Sequence, residues 1–121
     1  PDMCPRLTAK MRSIQQQFKD DDRVRFVSIS VDPETDTRAE LQAYEKKFNV
    51  DTKQWYFLRG SMDQVKTLLV KGFKLGTLDE PKYHSGKFIL VDKTNRVHSY
   101  YDSDSSADLE KLKVEIKKLL N

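Results

Sequence analysis

The chain has 121 residues, 22 of them Lys or Arg and 19 Asp or Glu, for a formal net charge of +3. That length supports one core but not two, and a charged fraction of 34% with a mean hydropathy of −0.73 describes a polar yet globular domain rather than a disordered chain. Charges of both signs are interspersed without a basic run, no stretch approaches the ~20 apolar residues of a membrane span, and a single cysteine forms no internal disulfide, which argues against nucleic-acid binding, a spanning helix within these residues and a disulfide framework.

Pro1-Asp2-Met3-Cys4-Pro5 opens the chain and runs directly into a helix. Proline fits a first helical turn, where its missing N–H costs nothing, so Cys4 falls at or beside the N-cap. The unpaired amides and the positive end of the helix dipole favour its thiolate, the form that attacks disulfides and binds soft metals. Pro1 is not an initiator methionine, and a reactive cysteine stands four residues in. The expectation is therefore that these residues are the later part of a longer polypeptide, with an anchor or signal before them.

Leu7, Met11, Ile14 and Phe18, spaced by four, three and four, predict an apolar stripe on a helix from about Pro5 to Lys19. Asp20-Asp21-Asp22 ends it as a solvated turn rather than a hard-metal site. Val24 to Val31 predicts a strand covered on both faces. Pro33 stops that strand, and Asp32 leaves it at the carboxyl end, the edge where open α/β sheets place their sites. Thr37-Arg38-Ala39-Glu40 has the form of a capping box, followed by Leu41, Tyr44 and Phe48 on a buried face; Asp36 is expected to be a helix-start acid.

Trp55 to Leu58 predicts a short buried strand. Ser61 to Gln64 is a second capping box, opening a helix with Val65, Leu68 and Leu69 on one side and Gly72 as its C-terminal cap. Residues 73–81 carry no period and two turn formers, and are expected to be a loop leading to Lys82-Tyr83-His84-Ser85-Gly86. Phe88 to Val91 and Val97 to Tyr101 predict an antiparallel hairpin whose turn places Asn95 at positive φ. Leu109, Leu112, Ile116 and Leu119 form the last helical stripe, with Lys117 and Lys118 at its negative dipole end.

This order predicts an α/β domain, residues 1–121 forming a single thioredoxin-like unit with a mixed sheet flanked by helices, whose N-terminal strand would precede Pro1. Beside Cys4, the chemically suggestive side chains are His84 and Asp32. His84 lies between a loop and a strand; an imidazole with a thiolate suits copper(I) or zinc(II), and two ligands fall short of the four of a closed zinc site. His98, in a hairpin strand, is expected to be an ordinary, partly exposed side chain.

Three blocks, Met3-Cys4-Pro5, Ser30-Val31-Asp32-Pro33-Glu34-Thr35-Asp36-Thr37 and His84-Ser85-Gly86-Lys87-Phe88-Ile89-Leu90-Val91-Asp92, resemble the signature blocks of the Sco/SenC family of copper-binding, thioredoxin-like proteins. The likeness spans nearly the whole chain, and the S-x-D-P-x-x-D-T pattern is its most specific part. The resemblance implies a copper metallochaperone rather than an enzyme, with Cys4 and His84 as metal ligands and Asp32 orienting His84 or shaping the local charge. It implies delivery of copper to the copper-A subunit of cytochrome c oxidase or another copper or thiol protein. Anchorage through a preceding segment is implied too, at the periplasmic face of the bacterial cytoplasmic membrane or the mitochondrial inner membrane facing the intermembrane space.

Departures from the pattern also follow. The first cysteine of the family's C-x-x-x-C-P motif would fall one residue before Pro1, and Tyr83 stands where many members have an acid. Met3 is expected to be packed filler. The alternative readings are a thiol-disulfide oxidoreductase with Cys4 as its redox-active residue, a redox or metal sensor, and a binding domain with a vestigial site.

Overall fold

The structure, a computed structural model, describes residues 5–30, 34–72 and 87–121. In chain order its elements are α1 (Pro5–Gln17), β1 (Phe26–Ile29), α2 (Arg38–Lys47), β2 (Trp55–Leu58), α3 (Met62–Thr67), a π-helical turn (Leu68–Gly72), β3 (Lys87–Val91), β4 (Val97–Asp102) and α4 (Ser106–Leu120).

Local chemistry accounts for the boundaries. Pro5 is the first residue of α1, as its fixed φ favours. Past the end of that helix Asp20 takes a φ of 70°, a left-handed exit that Asp tolerates. Thr37 caps α2 by accepting from the Glu40 amide. At the other end Asn49, at φ 52°, reverses the chain so that the Asn49 and Val50 amides reach the Lys46 and Glu45 carbonyls. Ser61 and Gln64 make the full reciprocal capping box of α3. Gly60 leaves room for it, because a Cβ there would lie 2.8 Å from Gln64 Oε1.

β1 and β2 pair in parallel, from Phe26 opposite Trp55 to Ile29 opposite Leu58, with α2 as the crossover. β3 and β4 form the antiparallel hairpin, Phe88 facing Tyr101, with an irregularity between Leu90 and Val91. A single apolar cluster joins both pairs: Ile14 and Phe18 of α1, Val24, Phe26 and Trp55, Phe88 and Tyr101, and Leu112 and Ile116 of α4. The hairpin turn is closed by Asp92, whose Oδ1 accepts from the Thr94 hydroxyl at 2.6 Å and from the Thr94 and Arg96 amides at 2.9 and 3.1 Å. Asn95 sits there at φ 65°, as its residue type suggested.

Among the described residues the strands form one parallel and one antiparallel two-stranded ladder. Three expectations need correction. β1 and β2 are not covered on both faces: Val27, Tyr56 and Leu58 are exposed opposite the buried Phe26 and Trp55. The third helix changes pitch at Leu68, so Gly72 closes a π turn instead of capping α3. In α4, Leu119 points outward at 43% exposure and Leu120 packs against the core in its place. His98 is a partly exposed hairpin side chain, its Nε2 3.9 Å from Glu115 Oε2 of α4.

Two outcomes follow. Ile14→Ala, at a residue 2% exposed, should lower unfolding free energy by about 2–5 kcal/mol in urea titration. The Thr94 hydroxyl, then the Arg96 amide, hold the Asp92 carboxyl below its ordinary value. The folded chain thus releases this proton more readily than the unfolded one. The turn's contribution is complete above the ordinary carboxyl value of about 4 and is lost as pH falls through the lowered folded value. Asp92→Asn should therefore lose less thermal stability than the wild type between about pH 5 and about pH 2; equal acid-induced drops in Tm would refute this.

Candidate functional site

The carboxyl ends of the two parallel strands meet where α2 begins. Beyond β1, the Ser30 amide donates to the Leu58 carbonyl at 2.9 Å and extends the ladder by one rung. Its side chain turns inward: Ser30 Oγ donates to Asp36 Oδ2 at 2.7 Å, and both residues are wholly buried. Arg59, just past β2, donates from Nε to the Asp36 carbonyl at 3.0 Å. The segment linking β1 to α2 is thus tied to both strands at one point.

Asp36, expected as a helix-start acid, instead precedes the N-cap Thr37 and is buried; Glu40 is the acid of the first turn of α2. The signal was present in the pattern. Ser30 and Asp36 are the first and second-last residues of the S-x-D-P-x-x-D-T block, and the structure shows them bonded to each other.

A second tie joins α1 to α2. Thr8, buried on α1, shares a 2.9 Å hydrogen bond with the Tyr44 hydroxyl. Tyr44 in turn packs on Phe48 and meets the edge of Phe57 on β2. At the far end of the chain, Lys10 donates to the Ser103 carbonyl at 2.6 Å and, with Arg6, pairs with Asp104. These bonds fix the first two turns of α1 against α2 and the start of α4. No acidic residue lies in the first turn of α1, so its positive end is not neutralised from within the helix. Cys4 is the residue immediately before that end in sequence.

Cys4, Asp32 and His84, with Met3 and Tyr83, lie outside the described residues. What the structure places is the frame on either side of them: the start of α1 after Cys4, Ser30 and Asp36 flanking Asp32, and β3 following His84 by three residues. Among the described residues no group of three or more His, Cys, Asp or Glu is arranged to hold a metal ion. Thr8 and Arg59 were not singled out in the sequence, Tyr44 entered only as part of a buried face and Ser30 only as the first residue of the block. Thr8 and Tyr44 are 36 residues apart and Arg59 and Asp36 are 23 apart, so only the fold brings these pairs together.

The SCO1/SenC family model matches residues 1–121. This chain belongs to the SCO1/SenC family. Among curated SCO1/SenC relatives it is 30% identical over 107 residues to the SCO1 protein homolog of Bacillus subtilis, covering 83% of this chain and 55% of that protein. It is 32% identical over 125 residues to a SCO2-like protein of Rickettsia felis, covering 93% and 59%. The chain thus spans somewhat over half the length of these relatives.

Two solved structures share the fold. A SCO1/SenC family lipoprotein from Bacillus anthracis matches with a TM-score of 0.82 at 31% identity, over 98% of this chain and 73% of that one. BsSco, described with a disulfide switch and as a member of the Sco family of cytochrome c oxidase assembly proteins, matches with a TM-score of 0.80 at 26% identity, over 97% and 71%. The fold is thioredoxin-like, and the Ser30–Asp36 pair belongs to a SCO1/SenC domain.

Removing the Tyr44 hydroxyl alone tests the α1–α2 tie. Tyr44→Phe leaves the buried Thr8 hydroxyl without the phenol and should cost about 1–3 kcal/mol. The measurement is denaturant unfolding of both proteins, and a loss below about 0.5 kcal/mol would show that the bond contributes little.

Proposed function

We propose that this chain is the copper-handling domain of a metallochaperone, in which Cys4 and His84 hold copper as cargo. The observation that carries the reading is the start of α1 at Pro5, directly after the lone cysteine and with no carboxylate in its first turn. A helix N-terminus lowers a thiol pKa, and a thiolate is a soft ligand. Paired with the imidazole of His84 it forms a donor set suited to copper(I), which accepts low coordination. Family membership supports the same reading.

Cargo held this way leaves by ligand exchange, as thiolates and imidazoles of a receiving protein replace Cys4 and His84 one at a time. The proposed receiver is the copper-A subunit of cytochrome c oxidase, in keeping with the description of BsSco as belonging to a family of oxidase assembly proteins. The proposed setting is the periplasmic face of the bacterial cytoplasmic membrane, or the mitochondrial inner membrane facing the intermembrane space. Asp32 is assigned an indirect role, orienting His84 or setting the charge beside it.

A second reading, a thiol-disulfide oxidoreductase acting through Cys4 and a second cysteine, is favoured by one observation, the disulfide switch described for the similar BsSco. Copper titration of the full-length protein against a chromophoric chelator, under reducing conditions, separates the two. Tight 1:1 binding that weakens at least about tenfold in His84→Ala and in Cys4→Ala is expected. Equal, weak copper retention by wild type and His84→Ala, with equal reduction of a test disulfide, would replace the chaperone reading with the oxidoreductase one.

A further inference from the structure

The two faces of the parallel ladder differ in what they meet. Phe26 and Trp55, paired across it, pack into the apolar cluster with α1 and α4. Val27 stands opposite Tyr56 and Ile29 opposite Leu58, so these four side chains share the other face. There Val27, Tyr56 and Leu58 are 43%, 39% and 49% exposed. Strands paired in parallel ordinarily carry helices on both faces, and a contiguous apolar face with a polar rim marks a place of contact. The rim here is positive. Exposed Arg25 donates from Nη1 to the Tyr56 hydroxyl at 3.0 Å, which holds the guanidinium at the end of the apolar strip. It pairs with no carboxylate among the described residues. Lys53, whose main-chain carbonyl accepts from the same hydroxyl at 3.5 Å, is exposed and also makes no ion pair among the described residues.

We propose that this face is a docking surface for one amphipathic helix of a partner protein, its apolar stripe laid along β1 and β2 and a carboxylate beside the stripe meeting Arg25. Width argues for a helix: two strands about 4.8 Å apart present a strip about 10 Å wide, the breadth of one helix with its side chains. Charge argues for the carboxylate. With Nη1 on Tyr56, the Nε and Nη2 groups of Arg25 are left to receive a carboxylate side-on. A second copy of the chain is disfavoured, because none of Arg25, Val27, Ile29, Lys53, Tyr56 and Leu58 is acidic and the face has nothing of its own to meet Arg25. The inference stands apart from the copper reading.

The test uses the full-length protein and two synthetic helices with leucines along one stripe, flanked by glutamates in one peptide and by lysines in the other. Binding is read from the fluorescence anisotropy of a dye on the peptide. The glutamate peptide should bind, and the lysine peptide should bind at least about tenfold more weakly. Leu58→Asp should weaken the glutamate peptide by about tenfold or more, and Arg25→Glu combined with Lys53→Glu should reverse the preference between the two peptides. These side chains are exposed, so Tm should stay near that of the wild type. Should Leu58→Asp fail to fold, the reversal in the charge variant decides. No binding of the glutamate peptide, equal binding of both peptides, or binding indifferent to the substitutions overturns the proposal. So does a face already taken: a Leu58→Cys thiol that resists maleimide in the folded protein, a dimer that Leu58→Asp dissolves, or adsorption to phosphatidylglycerol vesicles in place of peptide binding.

Discussion

Everything in this fold leans on the burial of Trp55. Its side chain is 1% exposed, stacked on Phe57 at 5.4 Å and tilted against Phe26 at 6.2 Å. Aromatic side chains of this size dominate the energetics of a small core. Burial obliges the indole N–H to find an acceptor, and it donates to Ser28 Oγ at 2.9 Å. Ser28 lies on β1, so the hydrogen bond joins the same two strands that the ladder joins and holds their register. Around this residue the helices α1 and α4 and the hairpin pack as one cluster.

The polar interior is divided differently. Away from the carboxyl edge, buried amide groups do carpentry: Gln54 Nε2 donates to the Phe18 and Asp21 carbonyls, closing the exit of α1. At the edge, the buried groups are a hydroxyl and a carboxylate that tie down a connecting segment. Buried amides cost little beyond their hydrogen bonds, while a buried carboxylate costs much more. That difference separates the amide bonds that close the exit of α1 from the bond that ties the β1–α2 segment to the strand end.

Much of this was legible before the structure. Helix starts are written locally, in Pro5, Thr37 and Ser61, because a cap satisfies amides within three residues of itself. The hairpin turn was legible for the same reason, since Asn95 accepts a positive φ. Site candidates were legible through motif resemblance, and family membership supports that resemblance while Cys4, Asp32 and His84 themselves lie outside the described residues. Illegible were the features decided by distant packing. Asp36 is near a helix start in sequence, which suggested capping, yet its partner is the hydroxyl at the end of the preceding strand. Leu119 and Leu120 are equally apolar, and only the rotation of α4 against the core chooses between them. Val27 and Tyr56 carry strand-forming side chains whatever covers them, so their exposure was invisible to a propensity argument.

Trp55 is the sole tryptophan of the chain. Its dry, stacked surroundings and its bond to Ser28 make it a built-in optical label for the junction between β1, β2 and α1, whose Met11 sulfur lies 3.9 Å from that same Ser28 hydroxyl. Emission excited at the indole band therefore originates at a single known place, with no competing tryptophan to average over. Any event that loosens α1 from the parallel strands changes the colour and lifetime of that light.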